Sequence, residues 1–339
     1  MLTNVPGNCE LSILTSFTNC QLLEEVDLSQ NLLNGILPTT VGNLTTTLWN
    51  LELNSNHIEG TIPLALANLT KLIALGLSSN KIKGLIPPNV GQMHSLQAQS
   101  HYQSTSRMYV FYIQHTILIG SISSSINNLT SLKRLDLSSN NLSSTLPPGL
   151  CELKDLSELY LQDISFTGPL PLGLGNFAMM INMYIYVNKL SGELPSLLSK
   201  LQMLKYLNLS HNTFDGYIPQ ELDHMVNIEA IDLSHNKLSS EIPKSLEKLQ
   251  HIHILNLSFS LLEGELPSGG KFANLSAELF LGNHALCGAL KFHVPLCLDK
   301  TERQSKSNAA RVIAACAIGG STLEVIVCTL IGISCYRKR

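Results

Sequence analysis

The sequence predicts an α/β repeat fold, a solenoid with a concave parallel β-sheet, followed by a single transmembrane helix. Three observations predict it. A pattern of leucines recurs at about 24-residue intervals through most of the 339 residues. Only 14% of the residues are charged, which suits repeats whose exposed positions are Ser, Asn and Thr. An apolar stretch occupies residues 312–336.

The repeat reads L-x-x-L-x-L-x-x-N-x-L-x-G-x-[IL]-P, and we call its Asn position the anchor. The Gly is replaced by Ser144 and Ser240 and the Pro by Ser123; otherwise both persist in all ten copies. Seven of the ten anchors are Asn, and the ten positions are Asn31, Asn56, Asn80, Thr116, Asn140, Ile164, Asn188, Asn212, Asn236 and Ser260. Ten copies in phase make the repeat a strong signal.

Each letter of the repeat has a physical role. Leu135 and Leu137 alternate with polar residues, which predicts a short strand with its apolar side chains inward. The anchor side chain can bond backbone groups of the following turn. Gly permits a backbone conformation that other residues resist, and Pro ends the segment. Stacked repeats would then bury a shared core.

One interval breaks the period, because 36 residues separate Asn80 from Thr116. The segment at residues 97–112 contains no Leu. It is either an island loop that contacts a ligand or non-native sequence from a mis-spliced transcript.

Two segments resemble a known family. The motif LxGxIP after LxLSxN is similar to plant extracellular leucine-rich repeats. CQLLEEVDLSQNLLNGILPTTVGNLTTTLWNLELNSNHIEGTIP resembles the plant receptor-like serine/threonine kinases that include receptors for bacterial patterns, and GELPSGGKFANLSAELFLGNHALCG followed by PLC resembles their terminal cap. The resemblance covers nearly the whole chain outside residues 97–112.

The resemblance implies an extracellular domain that binds a peptide or protein, recruits a co-receptor kinase and sits at the plasma membrane, with a kinase domain beyond the membrane helix. It also implies a capping disulfide between Cys287 and Cys297. The family's signal peptide and N-terminal cysteine cap have no counterpart in the first residues, so we expect an internal piece of a receptor gene. The predicted segments are a partial repeat (1–22), repeats (23–96), the insertion (97–112), repeats (113–272), the cap (273–298), a linker (299–311), the helix (312–336) and a cytoplasmic stub (337–339).

The apolar stretch is long enough to cross a bilayer, which needs roughly 20 residues. Arg337, Lys338 and Arg339 follow it and are typical of a stop-transfer signal. Glu324 lies near its middle and is either a tolerated, protonated residue or a pairing site for a partner helix. Basic residues flank both ends, so charge alone does not fix the orientation of the helix.

Seven N-x-[ST] sequons predict glycosylation in a secretory route. They are Asn43, Asn68, Asn128, Asn141, Asn208, Asn256 and Asn274. A glycan on Asn208 or Asn256 would block the concave face.

The exposed strand positions of three adjacent repeats form the predicted ligand-binding patch, because four Tyr fall there in a chain with 6% aromatic residues. The alternative is scattered Tyr on a solvated sheet. The patch comprises Glu158, Tyr160, Gln162, Asp163, Asn182, Tyr184, Tyr186, Tyr206 and His211.

We expect no enzyme activity, cofactor or metal site in this chain. The kinase motifs V-A-I-K, H-R-D and D-F-G do not occur, nor does C-x-x-C. A net charge of −3 argues against nucleic acid. The prediction is therefore a receptor ectodomain. The alternatives are a soluble inhibitor of microbial enzymes and a non-signalling fragment of a serine/threonine kinase.

Overall fold

The protein is described by a computed structural model that covers residues 1–93 and 110–297. Its main feature is a ten-stranded parallel sheet, which we call the long sheet. With strands numbered in chain order, the long sheet comprises β1 (Glu25–Asp27), β3 (Asn50–Glu52), β5 (Ala74–Gly76), β7 (Val110–Tyr112), β9 (Arg134–Asp136), β11 (Glu158–Tyr160), β13 (Asn182–Tyr184), β15 (Tyr206–Asn208), β17 (Ala230–Asp232) and β19 (Ile254–Asn256). The predicted solenoid with a parallel sheet is confirmed.

A second parallel sheet follows the long sheet along the solenoid, one strand to a repeat. It comprises β2 (Asn34–Ile36), β4 (His57–Gly60), β6 (Lys81–Gly84), β8 (Ile117–Gly120), β10 (Asn141–Ser144), β12 (Ser165–Gly168), β14 (Lys189–Glu193) and β16 (Thr213–Asp215). A three-stranded sheet comprises β18 (Ser239–Glu241), β20 (Leu261–Glu265) and β21 (Ala285–Cys287).

The remaining side of each repeat is a short 3-10 helix rather than an α-helix. Within the described residues, the one α-helix is α1 (Ser12–Phe17). The 3-10 helices are Thr39–Asn43, Leu64–Asn68, Val90–Gln92, Ser124–Asn128, Pro148–Glu152, Leu172–Asn176, Ser196–Lys200, Gln220–His224, Lys244–Lys248, Gly270–Asn274, Ala277–Phe280 and Leu290–Phe292. The leucines of strands and helices join in one continuous buried core.

The anchors hold neighbouring repeats together. Asn212, 7% exposed, accepts a hydrogen bond from the backbone N–H of Leu190 at 3.0 Å and donates to the carbonyl oxygens of Ile185 and Leu209 at 3.0 and 3.1 Å. Two of these three partners belong to the preceding repeat. Asn283, in the predicted cap, makes the same bonds to Leu262 and Leu257, so it is an eleventh anchor that the sequence pattern missed.

The backbone bends at the residue before each anchor. Ten such residues have φ between 52° and 57°, among them the bulky Val187 and Phe259. Positive φ is costly for these side chains. Ser144 and Ser240, which replace the repeat's Gly, also have positive φ, at 97° and 70°. The repeat geometry therefore overrides the local preference of the residue.

The structure moves one predicted boundary. The sequence pattern assigns residues 110–112 to the insertion, but Val110–Tyr112 is strand β7, in register with β5 and β9. The reason is that Phe111 fills the inward Leu position of the repeat, at 1% exposure. The rest of the predicted insertion, the linker, the membrane helix and the stub lie outside the described residues, and no helix within residues 1–93 and 110–297 is long and apolar enough to cross a membrane.

Candidate functional site on the long sheet

The predicted patch lies on strands β11, β13 and β15, which are adjacent in the long sheet. Inward Leu159, Met183 and Leu207 are at most 2% exposed. The alternate residues therefore point to the opposite face, the long-sheet face. By register, Asn182 lies between Glu158 and Tyr206, and Tyr160 lies beside Tyr184. The strands thus bring most of the predicted site residues together.

A continuous stack of flat side chains crosses this face. The rings of Tyr160 and Tyr184 are parallel, with centroids 5.4 Å apart. Tyr186 meets Tyr184 edge-on at 6.5 Å. On the other side, the guanidinium of Arg134 lies 4.7 Å from the Tyr160 ring centroid and 5.0 Å from that of Tyr112. We call Tyr112, Arg134, Tyr160, Tyr184 and Tyr186 the aromatic stack.

Ionic and hydrogen bonds fix the stack in place. Arg134 Nη1 pairs with Glu158 Oε2 at 2.8 Å, and the Tyr160 hydroxyl donates to the same oxygen at 2.9 Å. Burial raises the pKa of Tyr160 to about 12, and its bond to Glu158 acts in the same direction. Burial also raises the pKa values of Tyr112 and Tyr184. All three phenols are therefore neutral hydrogen-bonding groups at physiological pH.

Tyr206 extends the patch but belongs to a different network. Its hydroxyl donates to Glu229 Oε2 at 2.7 Å, and Lys205 Nζ pairs with Glu229 Oε1 at 2.9 Å. These two bonds hold the pKa of the half-buried Glu229 below its usual value. Glu229 is therefore a charged, occupied carboxylate at the edge of the patch.

Three predicted residues lie at the strand exits and not in the aromatic stack. Gln162 and Asp163 follow β11, and the Oε1 atom of Gln162 is buried with no hydrogen-bond partner among the described residues. His211 follows β15 and stacks at 4.1 Å on His235, which stacks at 4.5 Å on Phe259. His211 therefore belongs to a separate ring ladder along the rim.

Sequence reasoning missed Tyr112 and Arg134. Tyr112 was assigned to the insertion, so its strand was not recognised. Arg134 was read only as an outward residue of its repeat. Had Val110–Tyr112 been aligned as a strand, its register would have placed Tyr112 two strands from Tyr160, in the same row of the sheet. Arg134 lies on β9, the strand between them.

The sequons differ in exposure. Five of them are exposed: Asn43, Asn68, Asn128, Asn141 and Asn274. Asn208 and Asn256 are half-buried on the long-sheet face, and each accepts a bond from the backbone N–H of the serine two residues on, at 3.0 and 3.2 Å. A glycan on either residue would stand beside the candidate site.

The five cysteines within the described residues are of two kinds. Cys287 and Cys297 form a disulfide that closes the cap segment, in which the rings of Phe272, Phe280 and Phe292 pack together. Cys9, Cys20 and Cys151 are free thiols, and burial raises the pKa of Cys151 to about 11. No group of three His, Cys, Asp or Glu in the part of the chain described here could hold a metal ion.

Comparisons with known proteins agree with this geometry. The family description "Leucine rich repeat" matches residues 183–238, 22–44, 47–69 and 131–153. Over 67 residues the chain is 43% identical to the LRR receptor-like serine/threonine-protein kinase EFR of Arabidopsis thaliana, a match covering 20% of this chain and 6% of that protein. The repeats are homologous to those of plant receptor kinases.

Solved structures extend the likeness to most of this chain. The LRR ectodomain of the membrane receptor kinase GASSHO1/SCHENGEN3 from Arabidopsis thaliana, in complex with CASPARIAN STRIP INTEGRITY FACTOR 2, is similar with a TM-score of 0.77 and 31% identity over 87% of this chain and 32% of its own. The plant peptide hormone receptor RGFR1 in complex with RGF2 is similar with a TM-score of 0.67 and 28% identity, over 85% and 45%. This chain therefore spans less than half of either receptor chain, and less than a fifth of the curated relatives it matches. Its leucine-rich-repeat fold is that of an ectodomain and not of a catalytic domain.

Proposed function

We propose that the chain is the ligand-binding ectodomain of a plant membrane receptor kinase, and that it recognises an extracellular peptide or protein on the long-sheet face. The aromatic stack together with Tyr206 forms the contact surface. The predicted residues Glu158 and Asn182 flank the rings, while Gln162, Asp163 and His211 extend the surface to the strand exits.

The observation that supports the proposal is the fixed packing of the tyrosine rings in the aromatic stack. Tyr160, Tyr184 and Tyr186 are half-buried and pack on one another, so each ring is held rigid while part of it faces solvent. Tyr side chains fixed in this way lose little entropy when a partner covers them, and they dominate binding energies at interfaces. Peptide ligands in the complexes of similar receptor ectodomains support the same class of partner.

The finer parts of the proposal follow the same resemblance. Residues 312–336 cross the plasma membrane once, with the repeats outside, and the intact receptor acts with a co-receptor kinase. The resemblance of the early repeats to plant receptors for bacterial patterns motivates a role in sensing such patterns. The exposed sequons carry glycans, and Asn208 and Asn256 stay unmodified because glycans there would cover the ligand.

The proposal is tested with a library of synthetic peptides about twelve residues long, which when extended span roughly eight strands. Peptides that bind the detergent-solubilised full chain are selected and their Kd values measured. We expect Tyr184→Ala to weaken binding by more than about tenfold, because it removes a central aromatic contact.

Tyr217→Ala is the matched control, since Tyr217 is 53% exposed and follows β16 of the second sheet. It should leave the Kd unchanged, and both variants should unfold at the temperature of the native protein. Equal binding by the Tyr184 variant, or selection of no peptide, would overturn the proposed function.

A further inference from the structure

Strand β5 leaves a notch in the long-sheet face, beside the aromatic stack. Its two outward residues, Ala74 and Gly76, have the smallest side chains available. By register, Gly76 lies between Glu52 on β3 and Tyr112 on β7. Two strand spacings, or about 9.6 Å of sheet, separate the backbones of Glu52 and Tyr112. A carboxylate and an aromatic ring therefore flank a position with no side chain.

The Glu52 carboxylate leans into this notch. A Cβ atom on Gly76 would overlap Glu52 Oε2 and the side-chain amide of Asn54, which donates to that oxygen. Only glycine leaves room for this arrangement. The carboxylate oxygens thus lie over the floor of the notch, one strand away from Tyr112.

Two oxygen atoms at the notch can accept further hydrogen bonds. Glu52 makes no ion pair with any described residue, although it is half-buried. Asn50 lies on β3, two residues before Glu52, and is 8% exposed. It donates to Glu25 Oε1 at 2.9 Å, while its own Oδ1 has no hydrogen-bond partner within residues 1–93 and 110–297. Buried acceptors without donors are uncommon, because desolvation without a compensating bond is costly. Both atoms suit a ligand group rich in N–H donors.

The charge of the face favours the same kind of ligand. The seven residues preceding each of the ten anchors include nine acidic side chains and three basic ones. The acidic residues are Glu24, Glu25, Asp27, Glu52, Asp136, Glu158, Asp163, Glu229 and Asp232, and the basic ones are Lys133, Arg134 and Lys205. No basic residue lies in these segments before Lys133. Burial raises the pKa of Glu52, and the charges of Asp27 and Glu25 add to the effect, so a cation at the notch would relieve a real repulsion.

The protein itself shows how this face holds a cation. Arg134 lies between the rings of Tyr112 and Tyr160 and pairs with the carboxylate of Glu158. The notch offers the same chemistry on the other side of Tyr112, a carboxylate and a phenol ring, and in the described strands no basic residue is in register with it. A cation over the face of a Tyr ring is attracted by the electron-rich ring.

We propose that the notch formed by Asn50, Glu52, Gly76 and Tyr112 binds a lysine or arginine side chain of the peptide ligand. This inference rests on the proposed function and adds to it the direction in which the peptide lies across the long sheet. Four strand spacings separate β5 from β13, about 19 Å, which equals about six residues of extended peptide. The basic residue therefore lies about six positions from the residue that contacts Tyr184.

The test is a double-mutant cycle with the peptides selected on the full chain. In each peptide, every Lys is replaced in turn by norleucine, which keeps its hydrocarbon chain, and every Arg by citrulline, which keeps its length. Both changes remove the charge. At one position the native protein should lose about tenfold in affinity. Glu52→Gln, which keeps the size of the side chain, should bind both peptides alike.

Glu59→Gln is the matched control, because Glu59 is an exposed carboxylate in the same repeat as Glu52 but lies on β4 of the second sheet. It should keep the full tenfold difference. The preference for the basic peptide should also fade as the pH falls through the raised pKa of Glu52, because a protonated carboxyl no longer attracts a cation.

The outcomes separate the two proposals. Peptides that depend on Tyr184 but show no coupling between Glu52 and a basic residue would overturn the notch and leave the binding face intact. If native protein binds no peptide, or if binding ignores Tyr184, the proposed function and the notch fall together. Coupling to Glu52 and not to Glu59 supports the notch.

Discussion

The two faces of the long sheet are built on the same strands and follow opposite rules. The inward face carries apolar residues in every repeat, and its Leu, Ile, Met and Phe side chains are almost fully buried. The long-sheet face changes from carboxylates on β1 and β3, through small residues on β5, to rings on β11 and β13. Stability constrains the inward positions in every repeat, so specificity resides in the outward ones.

The largest effect on stability is expected from Asn212→Ala, which changes a residue that recurs in the repeat. The change removes the buried side chain that bonds one backbone N–H and three carbonyl groups, and should lower the free energy of unfolding by about 3 kcal/mol. Urea unfolding followed by circular dichroism measures it. Asn34→Ala, an exposed position of the second sheet, is the control and should change stability by less than about 0.5 kcal/mol. Equal effects would contradict the role of the anchor.

A smaller gain is expected where the anchor is degenerate. Ser260 is 6% exposed, and its hydroxyl has no hydrogen-bond partner among the described residues. Ser260→Asn restores the side chain that bridges repeats elsewhere and should raise the free energy of unfolding by about 1 kcal/mol. The same change at the exposed Ser143 should have almost no effect. A loss of stability at position 260 would mean that this repeat has closed around the smaller side chain.

The smallest effect on stability concerns the long-sheet face and appears at high pH. The folded chain keeps the Tyr160 proton to a pKa of about 12, whereas an unfolded phenol loses it near 10. The folded state then binds more protons between these values, so stability falls as pH rises from about 10 to 12. Tyr160→Phe should flatten this decline, and ultraviolet titration of the native protein should show one phenol ionising late. A decline that is identical in the variant would contradict the burial of Tyr160.

The fold was predictable because its rules are periodic. The anchors were enough to predict the strands of the long sheet other than β7, and even Ile164 and Ser260 occupy their expected positions. Two features escaped the pattern. Asn283 follows Ser260 by 23 residues and lacks the surrounding leucine spacing, and Tyr112 stands in a repeat whose Leu positions hold Phe111 and Ile113.

The candidate site was predictable only in part. Alternation along one strand identified Tyr160, Tyr184 and Tyr206 as outward residues. Pairing across strands decides what they touch, and this made Arg134 a member of the stack and placed Tyr206 with Glu229. The notch depends on a missing side chain at Gly76, which has meaning only once the register puts Glu52 and Tyr112 on its two sides.

The bonds of the anchor asparagines have a consequence for how the molecule comes apart. Each links a repeat to the one before it and to no repeat further away, so cooperativity passes along the solenoid from neighbour to neighbour. Opening should begin at the ends and travel inward. A peptide lying from β5 to β13 would connect repeats that share no direct contact. Hydrogen exchange would then slow across the whole bound stretch, because the ligand would hold these repeats together against local opening.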